Sequence, residues 1–340
     1  MILLTGGGTG GHLAVVAAIK EALNAKGFKP FYIGSENGQD RAWFGKDSGF
    51  IDKIFLPSAG VVNRRGIGKL FALSKIARLA LKARKSLKVL GIKAVFSAGG
   101  YSAAPAAIAA ASLKIPLVIH EQNAVEGELN RRLKSFCAAF FSSFDPESPC
   151  GDYPVKRIFF EKARARSRIK CVIFLGGSQG ASAINNFAMN VAPSLDKRGI
   201  KIIHQCGNAE FDLIDRFYEQ NDINADRFAF EPNLVEKLIK ADFAVARSGA
   251  GTLFELAANG LPALFVPYPF AAGNHQMANA KFLSDRELSW CVEESRLSSE
   301  VLDNILPIDL SEISTQLAKQ IHSGGAHAIA ERLLILRKTS

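Results

Sequence analysis

Several short stretches of this chain bring together residue types that can bind a charged group and act on it. Gly6-Gly7-Gly8-Thr9-Gly10-Gly11-His12 follows the apolar run Ile2–Thr5 and leads into a helical pattern that runs to about Ala25. Gly176-Gly177-Ser178-Gln179-Gly180 stands in the same relation to Cys171–Leu175 and to a helix expected over Ala181 to Val191. Ser248-Gly249-Ala250-Gly251 follows the strand Phe243–Ala246 and opens a helix expected over Thr252 to Ala258. The first turn of that helix would carry Glu255, and Gly260 would stop it. A glycine turn that runs into a helix N-terminus presents backbone N–H groups to an anion such as a diphosphate. A carboxylate beside it can accept both hydroxyls of a ribose. The same stretch also reads as a plain strand–turn–helix, with glycine serving packing and Glu255 serving the helix dipole. His12 could take a proton from an attacking hydroxyl near neutral pH. His120-Glu121-Gln122-Asn123 ends the apolar run Ile115 to Ile119, where ligands bind in parallel-sheet proteins. His120 and His204 themselves read as core residues.

Gly6, Gly8 and Gly11 also satisfy GxGxxG, with Glu36 at a ribose-binding spacing, so a nicotinamide-dependent oxidoreductase is the second reading. That motif leaves the second glycine unit and Gln276 without a purpose. The elements that must hold these turns come in two sets. The order strand, glycine turn, helix of residues 2–25 recurs from Cys171, and Val95 to His120 recurs as Phe243 to Pro267. The same units in the same order, once per half, imply an α/β fold of two Rossmann-like domains facing across a cleft. Between about Cys137 and Ile169 the pattern loosens into Pro- and Gly-rich turns and a charged run, which places the linker there. The expected domains are 1–155 and 156–322, with a C-terminal helix in 323–340 that packs back on the first.

With 48% hydrophobic and 22% charged residues, the 340-residue chain has the balance of a globular protein rather than a disordered or fibrous one. MILLTGG has no basic n-region and reads as no signal peptide. The most apolar window, Tyr101 to Ile119, contains Pro105, Lys114 and Pro116 and fits a helix plus strand. The five cysteines are odd in number, form no CxxC, and read as free thiols in a reducing cytoplasm. Net charge is +10, and it is concentrated: from Lys53 to His120 there are 12 Lys and Arg and no acid. Such a patch calls for an anionic partner, either a membrane surface or nucleic acid. Within it, Gly66 to Lys88 has helical periodicity. Leu73, Ile76, Ala80, Ala83 and Leu87 would share a core face. Lys75, Arg78, Lys82 and Lys85 gather on the other face with Phe71, and Leu70 and Leu81 lie at its edge. Basic residues around exposed apolar ones fit anionic lipid; a merely solvated basic helix is the alternative.

The motifs Gly7 to His12, Gly99-Gly100-Tyr101, His120 to Asn123, Gly176 to Gly180, Arg247 to Ala250 with Glu255, and His275-Gln276-Met277-Ala278-Asn279-Ala280 together resemble the MurG family of GT-B glycosyltransferases, in the family's order. The resemblance implies an inverting transfer of N-acetylglucosamine from UDP-GlcNAc to the C4 hydroxyl of MurNAc in undecaprenyl-pyrophosphoryl-MurNAc-pentapeptide, without cofactor or metal. It implies that Thr9, Gly10, Gly11 and Asn123 line the donor sugar and acceptor side of the cleft; His12 remains the base that the residues themselves suggest, with Glu121 or water as the alternative. Ser178 would meet the diphosphate and the backbone near Glu231 the uracil. Ala250, Gly251, Thr252, Leu253 and Phe254 would underlie the nucleotide, Glu255 would bind the ribose and Gln276 the sugar hydroxyls. It also implies a peripheral enzyme on the cytoplasmic face of the cell membrane, docked by the basic and apolar patch of the first domain, with no nucleic-acid partner. The chain departs from the family pattern at Val15 (usually Pro), at Lys156 (usually Arg), and at the bulkier second loop Ser102-Ala103-Ala104-Pro105.

Overall fold

The computed structural model describes residues 1–58, 60, 66–177, 180–231 and 233–339, with only the backbone at 66, 67, 69 and 70. The chain forms two compact units, Met1–Lys156 with Ser323–Ser340, and Arg157–His322. Unit 1 runs β1 (Ile2–Thr5), α1 (Gly10–Ala25), β2 (Phe31–Ser35), α2 (Asp40–Phe44), β3 (Lys53–Leu56), α3 (Gly66–Val89), β4 (Ala94–Ser97), α4 (Gly100–Ser112), β5 (Leu117–Glu121), α5 (Glu128–Leu133) and β6 (Ala139–Ser142). Unit 2 runs α6 (Arg157–Glu161), β7 (Cys171–Leu175), α7 (Ser182–Lys197), β8 (Lys201–Gln205), α8 (Phe211–Gln220), β9 (Ala225–Phe228), α9 (Val235–Leu238), β10 (Phe243–Ala246), α10 (Ala250–Ala258), β11 (Ala263–Phe265), α11 (His275–Ser284), β12 (Trp290–Cys291), α12 (Ser299–Ile305) and α13 (Ser311–Leu317). The closing helix α14 (Gly325–Leu336) belongs to unit 1. There it packs along α1, where Lys26 pairs with Glu331 at 2.9 Å and the Arg337 guanidinium lies over the Phe28 ring.

β1, β4, β7 and β10 are apolar at nearly every position and buried throughout, the pattern of parallel strands covered on both faces. The sheets are parallel, in the orders β3-β2-β1-β4-β5-β6 and β12-β11-β10-β7-β8-β9. Counted from its own first strand, each is the Rossmann order, which reverses between first and fourth strands. β6 was not expected. It lies in the stretch read as linker, because its four residues, Ala-Phe-Phe-Ser, are followed by turns rather than by the glycine turn and helix that mark β1 and β10.

Two helices depart from expectation. Along α3 the buried set is Ala72, Leu79, Ala80, Ala83 and Leu87, with Ile76 half-buried, whereas Leu73 is 48% exposed. α3 is seated mainly on α4, with Ala72 and Leu79 buried and Leu73 on the side turned to solvent. α10 begins at Ala250, two residues earlier than expected, so Glu255 falls in its second turn. Its C-terminus is held firmly. Gly260 (φ +63°) closes it with Gly260 N–H to Ala257 O and Leu261 N–H to Leu256 O. The buried guanidinium of Arg166 donates to the main-chain carbonyl and side-chain oxygen of Asn259 and to Leu238 O. Burial pushes the Arg166 pKa down to about 9, which leaves it charged at neutral pH.

His204, in β8, is fully buried as expected, with Tyr218 Oη at Nδ1 and Asn185 Oδ1 at Nε2, each 3.1 Å away. Asn185 directs its amide hydrogens at Cys206 O and Glu210, so its oxygen faces the ring and Nε2 carries the proton. In the neutral form Nδ1 accepts the Tyr218 hydroxyl and Nε2–H donates to Asn185, and burial lowers the pKa to about 4. The folded state therefore binds fewer protons than the unfolded state between that value and the ordinary 6.5, and stability is lost as pH falls through this window. Between pH 6.5 and 5 this single site should remove about 2 kcal/mol from unit 2. Urea melts of the parent and of His204→Gln at pH 7 and pH 5 should show a smaller acid loss in the variant, on a lower starting stability.

Candidate active site

In unit 1 the loops leaving β1 and β4 meet at the reversal point. Ala98 N–H bonds Thr5 O at 2.9 Å, and a Cβ on Gly6 would stand 2.6 Å from the Ala98 Cβ. Gly99 and Gly100 both take left-handed φ (+82° and +78°) to begin α4. A side chain at Gly99 would strike Asn130, and one at Gly100 would meet Gly7 O and crowd His12 Nε2 at 3.3 Å. His12 sits in the first turn of α1. Its Nδ1 is 2.8 Å from the Thr9 hydroxyl, which fixes the ring and leaves Nε2 over the second glycine turn. Neither α1 nor α4 has an acidic residue in its first turn or a side-chain N-cap, so nothing of that kind opposes an anion there.

Glu121, at the end of β5, is buried, and its carboxylate accepts N–H groups from Asn123 (3.0 Å), Gly127 (2.9 Å) and the Asn130 amide (2.9 Å). These three donors use the carboxylate to shape the loop that presents half-buried Asn123. Gln122 is turned inward to Ala98 O at 3.0 Å. His120 is buried against the Tyr153 ring, and its pKa is lowered to about 3 by burial and then by the nearby His12. Lys156, which stands where an Arg was expected, pairs with Glu21 at 3.2 Å.

In unit 2 the turn after β10 is tied to the loop after β11. Arg247 donates to Val266 O and Pro267 O, pairs with Glu294 at 2.5 Å, and lies over the Tyr268 ring. The Ser248 hydroxyl donates to Gln276 O, and the Asn279 amide donates to Ser248 O. Ser248 therefore does not cap α10, and the N-cap position is Gly249, which has no side chain to do so. Along α10 only Thr252 and Glu255 are half-exposed, one turn apart on a single strip, while Ala250, Gly251, Leu253 and Phe254 are buried. Gly249 has an ordinary φ of −63°, and among the described residues no atom lies within 4 Å of a Cβ built there. Nothing inside the described chain demands glycine at that point. Gln276 enters α11 after two left-handed residues, Gly273 and Asn274, with its side-chain oxygen accepting Tyr268 N–H at 2.9 Å. The turn after β7 uses left-handed φ at Gly177 and Gly180, and Gly180 lies too close to Cys206 O for a side chain. Ser178 lies outside the described residues. Glu231 folds back on Asn233 N–H at 2.8 Å.

Residues 2–142 match the glycosyltransferase family 28 N-terminal domain, and residues 171–333 match the glycosyltransferase family 28 C-terminal domain. A Wolinella succinogenes protein named UDP-N-acetylglucosamine--N-acetylmuramyl-(pentapeptide) pyrophosphoryl-undecaprenol N-acetylglucosamine transferase is 54% identical over 98% of this chain and 99% of its own length. A Campylobacter jejuni protein of the same name is 48% identical over 98% and 97%. The crystal structure of Acinetobacter baumannii MurG superposes with a TM-score of 0.75 at 26% identity, covering 98% of this chain and 99% of that one. The chain belongs to the MurG group of glycosyltransferase family 28. Its two Rossmann-like sheets are those of the GT-B class.

The oxidoreductase reading of Gly6, Gly8 and Gly11 finds no support in this family 28 chain. The Gly8 N–H, which a dinucleotide's pyrophosphate would need, is donated to the buried Asp40 carboxylate at 2.7 Å, and Glu36 faces Arg41 on the surface. Asp40 is the site residue that the sequence did not single out. Its signal was the two glycines near it, Gly34 and Gly38, each of which would place a Cβ against its carboxylate. Glu121→Gln turns an amide donor toward N–H donors and should cost roughly 1–3 kcal/mol. With the amide oxygen kept where Gly127 N–H and the Asn130 amide donate, the NH2 faces Asn123 N–H, so faster hydrogen exchange at the Asn123 amide, together with a lower urea midpoint, is the expected result.

Proposed function

We infer that the chain transfers N-acetylglucosamine from UDP-GlcNAc to the C4 hydroxyl of MurNAc in undecaprenyl-pyrophosphoryl-MurNAc-pentapeptide, converting lipid I to lipid II in peptidoglycan synthesis. The observation that carries it is identity at 47–54% of positions, nearly end to end, with relatives named for that transfer. Unit 2 holds the donor. The Thr252–Glu255 strip offers a carboxylate to the ribose, and the uncapped N-terminus of α10 offers N–H groups to the diphosphate. Gly249 admits the nucleotide at a distance that a side chain would forbid. Ser178 adds a hydroxyl to the diphosphate, the main chain at Glu231 meets the uracil, and Gln276 meets the sugar hydroxyls. Unit 1 holds the acceptor along Thr9, Gly10, Gly11 and Asn123.

In the transfer the acceptor oxygen bonds to the anomeric carbon as the bond to the diphosphate oxygen breaks, with inversion. His12 Nε2 takes the hydroxyl proton, with the ring held at Nδ1 by Thr9. Glu121, already engaged by three N–H groups, positions Asn123 and leaves the proton to His12. The leaving UDP is stabilised where its charge develops, by fixed N–H donors. Release of UDP should require the lipid-linked acceptor, and His12→Ala should lower kcat by ~100-fold or more while UDP affinity changes little. Coupled UDP-release kinetics and calorimetric UDP titration measure the two quantities. Acceptor-independent release would count against the transferase reading.

Among the described residues no helix is long and apolar enough to cross a membrane. The outer face of α3 is the docking surface for an anionic bilayer, at the cytoplasmic side of the cell membrane. Phe71 is 67% and Leu81 63% exposed, Leu73 joins them, and Lys75, Arg78, Lys82 and Lys85 surround them. The Leu70 side chain lies outside the described residues. Each basic residue near headgroups adds roughly 1 kcal/mol. Replacing Phe71, Lys75, Arg78 and Lys82 together should weaken partition onto phosphatidylglycerol vesicles by ~100-fold or more, with activity on a soluble acceptor retained. Equal sedimentation of parent and variant with the vesicles would leave α3 as a solvated face.

A further inference from the structure

Three separate segments of unit 1 send hydrogen-bond donors to one side chain that the transfer as set out above does not use. Asp40, at the start of α2, is 0% exposed, and among the described residues no Lys or Arg pairs with it. Its Oδ1 accepts the Tyr32 hydroxyl (2.9 Å), Ser35 N–H (2.8 Å) and the Ser102 hydroxyl (2.5 Å). Among the described residues its Oδ2 accepts Gly8 N–H alone (2.7 Å). The space around it is built by omission. A Cβ on Gly7, Gly34 or Gly38 would come within 2.3, 2.6 and 2.7 Å of the carboxylate oxygens.

A buried charge held only by N–H and O–H dipoles is costly, and it persists where the surroundings over-determine it. What it determines here is the turn from Gly6 to His12. Gly6 and Gly8 have left-handed φ of +142° and +86°, and the turn precedes the first helical hydrogen bond, Leu13 N–H to Thr9 O. Gly8 is clamped between Oδ2 on one side and the Tyr101 ring, which would stand 2.5 Å from a Cβ, on the other. The next residue is Thr9, whose hydroxyl fixes His12.

We propose that Asp40 is a positioning residue for the transfer: through the Gly8–Oδ2 hydrogen bond its buried carboxylate sets the turn that presents Thr9 and His12. The proposal rests on the transferase reading with His12 as the proton acceptor. It also explains why the N-terminal glycine turn takes no dinucleotide, since its inward N–H is already committed to the chain's own anion.

Asp40→Asn tests it, because the change is isosteric and selective. An oxygen at the Oδ1 position keeps three donors satisfied, while an NH2 at the Oδ2 position opposes Gly8 N–H. In the full-length chain kcat should fall at least tenfold, with the UDP-GlcNAc KM and calorimetric UDP affinity within twofold of the parent. In a glycine-selective 15N-labelled sample, the Gly8 amide should exchange at least tenfold faster. In the His12→Ala background the same substitution should cost less than twofold, since its route runs through His12. A parent-like kcat for Asp40→Asn, or an equal loss in both backgrounds, overturns the proposal. A parent-like rate for His12→Ala alone would instead count against His12 as the base, while the Gly8 exchange and kcat of Asp40→Asn would still report on the turn. If Asp40→Asn does not fold, Ser102→Ala takes its place. It removes one donor from Oδ1 and leaves the Gly8 bond, so kcat within twofold and a protected Gly8 amide are expected. A tenfold loss there would show that packing around α4, and not the Gly8 bond, sets the rate.

Discussion

The site depends on the one place in each sheet where adjacent parallel strands send their connections to opposite faces. There the loops leaving β1 and β4, and those leaving β7 and β10, cannot cover one another, and the carboxyl edge stays accessible to a ligand. The chain must turn within a few residues at that edge and let neighbouring backbone approach closely. Gly6 against Ala98, Gly100 against Gly7 O and Gly180 against Cys206 O are all contacts that a Cβ would prevent. Gly249 is different in kind, because its conformation is ordinary and its surroundings are open. Nothing in the described fold requires its small size, and the proposed role is to leave room for the nucleotide.

The groups that aim the site are buried polar side chains satisfied largely by main chain. Asp40, Glu121 and Arg166 each gather three or more partners, Glu121 from its own loop and the other two also from distant segments, and each holds a loop or a helix end in place. In a low-dielectric interior such a group is strongly directional when complete and strongly destabilising when broken. Precision at the edge is therefore bought with vulnerability in the core. Arg166 shows the benefit: with the C-terminus of α10 capped by its guanidinium, the bare N-terminus is left as the end that can meet an anion. Ser248 shows the same division of labour, since its hydroxyl ties the turn to Gln276 rather than capping the helix it precedes.

The outer face of α3 follows another rule. Exposed Phe and Leu among Lys and Arg gain nothing from water, and α4 beneath is already filled by smaller side chains. The docking proposed for this face rests on that mismatch, since a phase apolar within and anionic at its surface would suit both kinds of side chain. The absence of any acid from Lys53 to His120 extends that preference around the helix.

Local chemistry was enough to show the two repeated strand–glycine–helix units, the Schellman stop at Gly260, the core histidine at 204 and the glycine turns themselves. Each of these is written within a few residues, as periodicity, a required φ or an apolar run. β6 was hidden because the short run Ala139–Ser142 is followed by turn residues rather than by a glycine turn and a helix, and Leu73 was misplaced because an ideal helical wheel does not contain the neighbour, α4, on which α3 is seated. The start of α10 at Ala250, with Glu255 in its second turn, was not legible locally, and the hydroxyl of Ser248 is donated to Gln276 O, a contact across 28 residues, rather than to the helix. The engagement of Glu121 and the burial of Asp40 beneath Gly8 were likewise decided only by tertiary structure. A carboxylate's role is set by the donors that surround it, and for Asp40 those donors come from segments up to 62 residues away.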